Sequence, residues 1–533
     1  MLHALAFMVL AGAAGLSQEH QHQSTSGEKL GTVHFETSCS EQARPSFDRG
    51  VALLHSFEFA SAIDAFGATL KTDPSCAMAD WGIALSRWGN PFAIGAKPAT
   101  QLQQGRDAVN RALAIGAKTD RERAYIGAAA RLYGDVDSAD PLARASAYRD
   151  AMATVASAYP TDTEATIFYA LSLTASEDPR DKTYASRIKA GAMLEALVAA
   201  QPDHPGLAHY IIHSYDVPAL APRALDAARR YAKIAPSAPH ALHMPSHTFT
   251  RVGSWQESVD TNIASAAAAH RDRATGEELH ASDYQMYAYL QTAQDAAARR
   301  LLDSLPAIAA GFNPAAIASA APGSAGVYAL AAMPARYALE RGAWADAAAL
   351  EPHASRFPYT EAITYFARAL GAAHTGNEAT VRSAIEALQQ IRDRLTQANE
   401  GYWAEQVEIQ RRGATAWLAL MSGRTSEAVA EMRAAAEQED NTEKSAVTPG
   451  PIAPARELLG EMLLQTKEPA QALKEFEATL KKEPNRFRAM YGAARAAELS
   501  GNKAVASKYY AELLKMCERA DKPGRPELAE IRR

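Results

Sequence analysis

The sequence is poor in cysteine, and its cysteines are not spaced for metal or redox chemistry. Only 3 cysteines occur in 533 residues, at Cys39, Cys76 and Cys517, and none belongs to a CxxC motif. This excludes cysteine-based zinc and thioredoxin-type sites. The chain also lacks the GxSxG, GxxxxGK[ST] and HExxH motifs, which excludes the familiar serine-hydrolase elbow, the phosphate loop and the helical zinc-protease site.

A basic surface and long apolar runs are missing as well. The net charge is −6 and no dense cluster of Lys and Arg occurs, so we do not expect a nucleic-acid partner. The one marked apolar run, Leu5 to Leu16, is too short to cross a bilayer and resembles a secretory signal, although no Lys or Arg precedes it. We therefore predict a signal-peptide-like segment at 1–17, a flexible leader at 18–33, an exported protein of the periplasm or extracellular space, and no membrane span in the mature chain.

Apolar residues follow a helical period, with no sustained strand-type alternation, and one pattern recurs along the chain. The segment GVALLHSFEFASAIDAFGATLKTDP begins at Gly50, and GEMLLQTKEPAQALKEFEATLKKEP begins at Gly460. Both have a small residue, an aromatic residue and a proline at the same spacings: Ala62, Phe66 and Pro74 in the first, and Ala472, Phe476 and Pro484 in the second. A small residue lets the two helices of a hairpin approach, and the aromatic fills the gap to the next hairpin.

This 34-residue pattern resembles the tetratricopeptide repeat (TPR), in a degenerate form that extends from about residue 47 to 515. The resemblance implies an all-α fold, a right-handed superhelix of helix–turn–helix units. We predict a TPR-like array over 34–310, middle helical pairs over 311–437, an extended connection over 438–454 and a C-terminal TPR pair over 455–533. For the connection, a plain link between units is favoured over a lid across the groove.

Cys39 and Cys76 lie on either side of the first helical pair. If the protein is exported, a disulfide between them would clip the N-terminal end of the array. Two small buried thiols are the alternative reading.

Histidine is concentrated in two neighbouring units, in LAHYIIHSYD and HALHMPSHTF. His209 and His243 are 34 residues apart, and so are His213 and His247, so the two pairs occupy equivalent positions in successive repeats. Within each pair the spacing of four puts both rings on one face of a helix. Pro245 removes a helical N–H, so a helix that begins there would loosen the second pair.

In the repeat family that this chain resembles, first helices line the concave side of the superhelix and project residues into the ligand groove. On that basis the four histidines face the groove, together with a wider polar patch: Glu164, His240, His280, Asp283 and Tyr287.

Three readings of the patch remain open. In the first, His209, His213, His243 and His247 form a metal site with Zn or Cu as the ion, or a carboxylate of Asp283 or Glu164 takes the place of one histidine. Alternatively, the patch binds a metal-free ligand or peptide, or the rings only hold neighbouring helices together. The sequence favours an exported, non-catalytic scaffold whose concave groove binds a protein or peptide. A metal-dependent hydrolase or a metal carrier on the same array is the alternative.

Overall fold

The computed structural model describes residues 27–93, 97–134, 140–178, 180–315 and 320–532. This part of the chain contains helices and loops and no β-strand. Two short 3₁₀ helices lie at Arg131–Tyr133 and Ala221–Ala224. The α-helices are α1 (Arg44–His55), α2 (Phe59–Thr72), α3 (Ala77–Trp88), α4 (Ala99–Ile115), α5 (Asp120–Ala130), α6 (Pro141–Ala158), α7 (Thr163–Ala175), α8 (Ala185–Val198), α9 (Pro205–Ser214), α10 (Leu225–Ile234), α11 (Pro239–His243), α12 (Pro245–Arg251), α13 (Trp255–Arg271), α14 (Thr275–Gln291), α15 (Asp295–Ala310), α16 (Gly323–Leu339), α17 (Trp344–Ala349), α18 (Pro358–Thr375), α19 (Glu378–Gln397), α20 (Gly401–Met421), α21 (Thr425–Asp440), α22 (Ala455–Gln465), α23 (Pro469–Lys482), α24 (Phe487–Leu499), α25 (Lys503–Met516) and α26 (Pro526–Ile531).

Consecutive helices pair as antiparallel hairpins, and the hairpins stack into a TPR-like solenoid. From α14 onward the first helices of successive units touch, α14 on α16, α16 on α18, and so on to α24. The small-residue and aromatic pattern has the predicted role at both ends of the array. A Cβ on Gly50 would come within 2.7 Å of the Phe66 ring, and one on Gly460 within 2.8 Å of the Phe476 ring. The all-α solenoid fold is confirmed.

The solenoid winds tightly enough for distant units to touch. Helix α1 packs on α9, four units further along. The Trp255 indole N–H donates to the Asn485 carbonyl at 2.7 Å, and the Phe487 N–H donates to the Gln291 amide oxygen at 2.9 Å. Units far apart in the sequence are therefore in direct contact, which the repeat pattern alone did not show.

The signal-like segment 1–17 lies outside the described residues, as does the leader up to residue 26. Residues 27–33 were expected to be flexible but pack on the array. Leu30 and Val33 are buried, the Thr32 N–H donates to the Asp203 carbonyl at 2.9 Å, and the Lys29 N–H donates to the Ser237 hydroxyl at 2.8 Å. The apolar Leu30 and Val33 supply the reason, because their burial favours a packed segment.

Three further observations bear on the sequence expectations. A disulfide joins Cys39 and Cys76, and Cys517 is a buried free thiol. Residues 441–454, between α21 and α22, carry no helix or strand. Within the described residues, no helix combines the length and the apolar character that a membrane crossing demands.

Candidate metal centre

The histidines of the two repeats gather into two groups of three. The first cluster is His209, His213 and His240, and the second cluster is His243, His247 and His280. In each cluster one ligand atom per ring can be chosen so that all three lie within 4.8 Å of one another. The two pairs that were expected to share one site therefore belong to separate groups. Each pair is completed by a third histidine that the sequence had placed only in the groove patch.

The repeated spacing of four sets the geometry of each pair. The Nε2 atoms of His209 and His213, both on α9, are 3.1 Å apart. Those of His243 and His247 are 3.2 Å apart. Two nitrogens bound to one ion at ~2.0–2.1 Å with tetrahedral angles would be separated by roughly 3.3 Å. Both pairs are thus already spaced as chelating ligands.

Pro245 interrupts the helix without loosening the second pair. Helix α11 ends at His243 and α12 begins at Pro245, as a proline at a first helical position requires. Met244, between them, keeps helical torsion angles of −53° and −34°. Because the backbone continues its helical path across the break, His243 and His247 stay on one face.

Four of the six rings are oriented by hydrogen bonds from Nδ1 to an oxygen atom. This arrangement fixes the hydrogen on Nδ1 and leaves the Nε2 lone pair free to bind an ion. The oxygen partners are the His55 carbonyl for His209 at 2.6 Å, Glu277 for His240 at 2.9 Å, Asn262 for His243 at 2.8 Å and Asp216 for His247 at 3.0 Å.

In the second cluster, these hydrogen bonds leave the Nε2 lone pairs of His243 and His247 facing each other. The Asn262 amide nitrogen donates to the Ser258 carbonyl at 2.7 Å, so its oxygen faces His243 and must accept from Nδ1. Asp216 likewise accepts from Nδ1 of His247. Both Nε2 atoms are then acceptors at 3.2 Å, an unfavourable contact that a bound cation would turn into a favourable one.

Unpartnered nitrogens complete both clusters. Among the described residues, His240 Nε2 and His280 Nδ1 are buried and have no hydrogen-bond partner. Buried polar atoms in native proteins are rarely left unsatisfied, and a missing ion is one accepted explanation. The donor set therefore fits a metal in each cluster.

Burial favours the neutral form of five of these rings, and metal ligands must be neutral. The six side chains are between 0% and 5% exposed. Burial lowers the pKa of His247 to about 4 and that of His280 to about 3. It also lowers the pKa of His209, His213 and His243 well below the ordinary value, with neighbouring imidazoles adding to the effect.

The two clusters are adjacent and enclosed. The ring centroids of His213 and His247 lie 6.1 Å apart, and those of His240 and His243 lie 6.0 Å apart. Phe57 covers the first cluster, with its ring centroid 4.4 Å from that of His209. The histidines were expected to face the concave groove, and in the structure they are buried, with α1 packed on α9 beside them.

The connection between α21 and α22 covers the second cluster. The Lys444 ammonium lies 3.3 Å from Asp216 and 3.4 Å from the Tyr284 hydroxyl. That hydroxyl donates to the Thr448 carbonyl at 3.1 Å, and the Tyr284 ring lies 4.9 Å from the His247 ring. The segment that was expected to be a plain link therefore lies against the site.

Three residues of the predicted patch are elsewhere. The Glu164 carboxylate accepts hydrogen bonds from His55 and His204, both at 2.9 Å. Burial would raise the pKa of Glu164, but the two imidazoles hold it well below its ordinary value. His55, Glu164 and His204 form a third group, in which one nitrogen of each ring meets a Glu164 oxygen and His55 Nδ1 contacts the Tyr210 hydroxyl at 3.0 Å. His204 Nδ1 is buried and has no hydrogen-bond partner among the described residues.

Asp283 and Tyr287 face the helices beyond the site. Asp283 pairs with Arg336 of α16 at 3.2 Å, and the Tyr287 hydroxyl accepts from Arg486 at 2.8 Å. Asp283 follows His280 by three residues, so its side chain points about 60° away from that of His280. Tyr287 follows His280 by seven residues and lies about 10 Å further along the helix axis. Position on α14 therefore takes both residues out of the clusters.

Comparisons with known proteins found distant structural similarity only. No protein-family model matches the chain, and no curated protein matches it. The chain is similar to human IFIT1, solved as a dimer with m7Gppp-AAAA, at 10% identity and a TM-score of 0.38, covering 90% of this chain and 96% of that one. It is also similar to a chain of the APC/C hetero-tetramer Cut9–Hcn1, at 11% identity and a TM-score of 0.34, covering 92% of this chain and 83% of that one. The description of the fold therefore rests on the stacked hairpins themselves.

Sequence reasoning missed the residues that orient and cover the histidines. Asp216 follows His213 by three residues, so the argument from helical spacing that found the histidines could also have found it. Asn262 lies on α13, the second helix of the unit that carries His243. Glu277 and Phe57 come from other units, and their roles depend on how the superhelix winds.

Proposed function

We propose that this chain is a metalloprotein in which a TPR-like array encloses two adjacent metal sites, each with three imidazole ligands. The pair of ions acts on a small molecule, and copper is the favoured metal. The observation that carries the proposal is the contact between the Nε2 atoms of His243 and His247, two acceptors 3.2 Å apart.

The ligand count favours chemistry over a structural role for the metals. Structural metal sites are closed by four protein ligands, whereas catalytic sites keep three and leave one position open. Each cluster here offers three rings. The open coordination positions of the two ions are buried, so they suit a small substrate and not an extended peptide. The peptide-binding groove expected from the sequence gains no support from these histidines.

The donor set favours copper over zinc. Imidazole nitrogen suits both metals, and copper(II) binds such sites more tightly than zinc(II). Copper would supply one-electron and dioxygen chemistry. The carboxylates nearest the second cluster are already engaged, since Asp216 holds His247, Arg251 and Lys444 at 3.0, 2.9 and 3.3 Å. A general base for the alternative, a metal-dependent hydrolase, is therefore not supplied by Asp216, so we place that reading and the metal carrier second.

Export to the periplasm or the extracellular space remains part of the proposal. The joined Cys39 and Cys76 support it, because structural disulfides persist in oxidising compartments.

The test is metal analysis of protein made without a histidine tag and loaded with equal Cu²⁺ and Zn²⁺. We expect two ions per chain, mostly copper, by elemental analysis after desalting. His213→Ala and His247→Ala should each retain one ion, and the double variant none. His270→Ala is the control, because His270 is 77% exposed and belongs to neither cluster, and it should keep both ions. A wild type without metal, or a double variant that keeps it, would refute the proposal.

A further inference from the structure

An apolar cavity lies beside the first cluster. Its volume is about 50 Å³, and no charged side chain lines it. Six of its walls are aromatic: Phe57, Phe59, Trp88, Tyr148, Phe168 and Tyr210. This lining does not favour a charged or strongly polar ligand, because burying such a ligand without hydrogen-bond or ionic partners costs free energy.

Phe57 is shared by the cavity and the metal cluster. Its ring lines the cavity, and its centroid also lies 4.4 Å from His209 and 5.8 Å from both His213 and His240. Phe57 is therefore in contact with the cavity and with all three rings of the first cluster, whereas Tyr210, another lining residue, contacts only the His209 ring among the three, at 5.2 Å.

The backbone at Phe57 is unusual for such a bulky residue. Phe57 has a φ of 57° in the turn between α1 and α2, where the next residue, Glu58, donates its N–H to the Leu53 carbonyl. The same turn position in other units holds glycine, as at Gly253, Gly376 and Gly423, or another residue that is not aromatic, as at Ala293, Asn399 and Lys467. A side chain is disfavoured in this left-handed region because its Cβ lies too close to a carbonyl oxygen. The turn itself does not require phenylalanine, whereas covering the cluster requires a large ring.

We propose that this cavity is the substrate pocket of the metal centre, that it takes an uncharged aromatic ring, and that Phe57 is the gate between pocket and metal. The inference rests on the proposed function, since it names the class of substrate on which the ions act.

The size of the cavity explains why a gate is needed. An engineered cavity of about 150 Å³ holds a benzene ring. The room here is about a third of that, so an aromatic ring fits only if Phe57 swings aside. That movement would join the pocket to the open side of the first cluster. The remaining aromatic walls can then hold the ring by edge-to-face contacts.

Phenol is a suitable probe, tested on the copper-loaded full-length protein. We expect it to raise the melting temperature and to shift the copper absorption band. Ala145→Leu and Ala175→Leu, which fill the cavity from two different helices, should each weaken phenol binding at least tenfold and leave two ions bound. Ala143→Leu, on the exposed side of α6, is the matched control and should bind phenol like the wild type.

The gate has its own test. Phe57→Ala should bind phenol several-fold more tightly, because the space of the ring is added to the cavity. Unchanged binding in both filled variants, or phenol binding that leaves the copper band unchanged, would overturn the inference. A protein that holds no metal would refute the proposed function and with it the assignment of a substrate, while melting curves of the apo protein would still show whether the cavity binds phenol.

Discussion

The Nε2 atoms of His243 and His247 lie 3.2 Å apart, although the helix that carries them is interrupted at Pro245. In α9, which has no interruption, His209 and His213 are 3.1 Å apart. Two successive repeats therefore present the same chelating pair from different backbones. Because the two pairs have different oxygen partners, the two clusters can be disturbed separately.

The first prediction concerns Asp216, which orients His247. Asp216→Asn keeps the shape of the side chain and removes its charge, so the second cluster should bind metal about 10- to 100-fold more weakly. Competition with a coloured chelator measures the affinity for each ion. The ions should be released in two phases, and the tighter phase should be unchanged. Asp260→Asn, at an exposed site, is the control. Equal weakening of both ions would argue against separate clusters.

The second prediction concerns the disulfide between Cys39 and Cys76, which closes a loop of 37 residues. Such a loop is expected to stabilise the N-terminal hairpins by roughly 3–4 kcal/mol through the entropy of the unfolded chain. The double variant Cys39→Ser/Cys76→Ser should lose about that much in urea unfolding followed by circular dichroism. Reductant should lower the stability of the wild type and leave the double variant unaffected. A reductant effect of equal size in both proteins would contradict the assignment.

The third prediction concerns acid stability and Glu164. The imidazoles of His55 and His204 hold the pKa of Glu164 well below 4.5 in the folded protein, despite its burial. A carboxyl with a depressed folded pKa stabilises the fold above its unfolded pKa, and that contribution is lost as the pH falls. Glu164→Gln should therefore cost roughly 1–3 kcal/mol at pH 7 and progressively less below about pH 4.5.

Asp283 supplies a control of opposite sign for that experiment. Burial raises its pKa from 3.8 to about 6, against the pull of Arg336. Its contribution to stability is therefore present below pH 4 and declines as the pH rises to about 6. Urea unfolding of Asp283→Asn and Glu164→Gln across pH 3 to 7 should give differences from the wild type that change in opposite directions. Parallel curves would show that neither shift is real.

Much of the architecture was predictable because it follows from local spacing. Gly50, Ala62 and Phe66 recur at the same intervals as Gly460, Ala472 and Phe476, and both sets pack as that spacing requires. The histidine pairs were predictable for the same reason, since four residues along a helix return a side chain to the same face.

The composition of the clusters was not predictable from spacing. His240 and His280 join the pairs, whereas Glu164 and Asp283 do not, and each choice depends on the angle between neighbouring helices. For a related reason, the burial of the histidines was not predictable. A repeat pattern describes contacts between adjacent units and is silent on contacts such as Trp255 with Asn485, which belong to the winding of the whole array.

The sequence by itself determined a helical hairpin array and two chelating pairs, because both depend on interactions within one unit or its neighbour. Only the tertiary structure decided that the pairs become two triads, that Phe57 and the segment around Lys444 cover them, and that an apolar cavity adjoins the first. Those features arise where α1, α9, α14 and the link before α22 converge. Helical periodicity sets the face of each residue, and the superhelical path sets what that face meets.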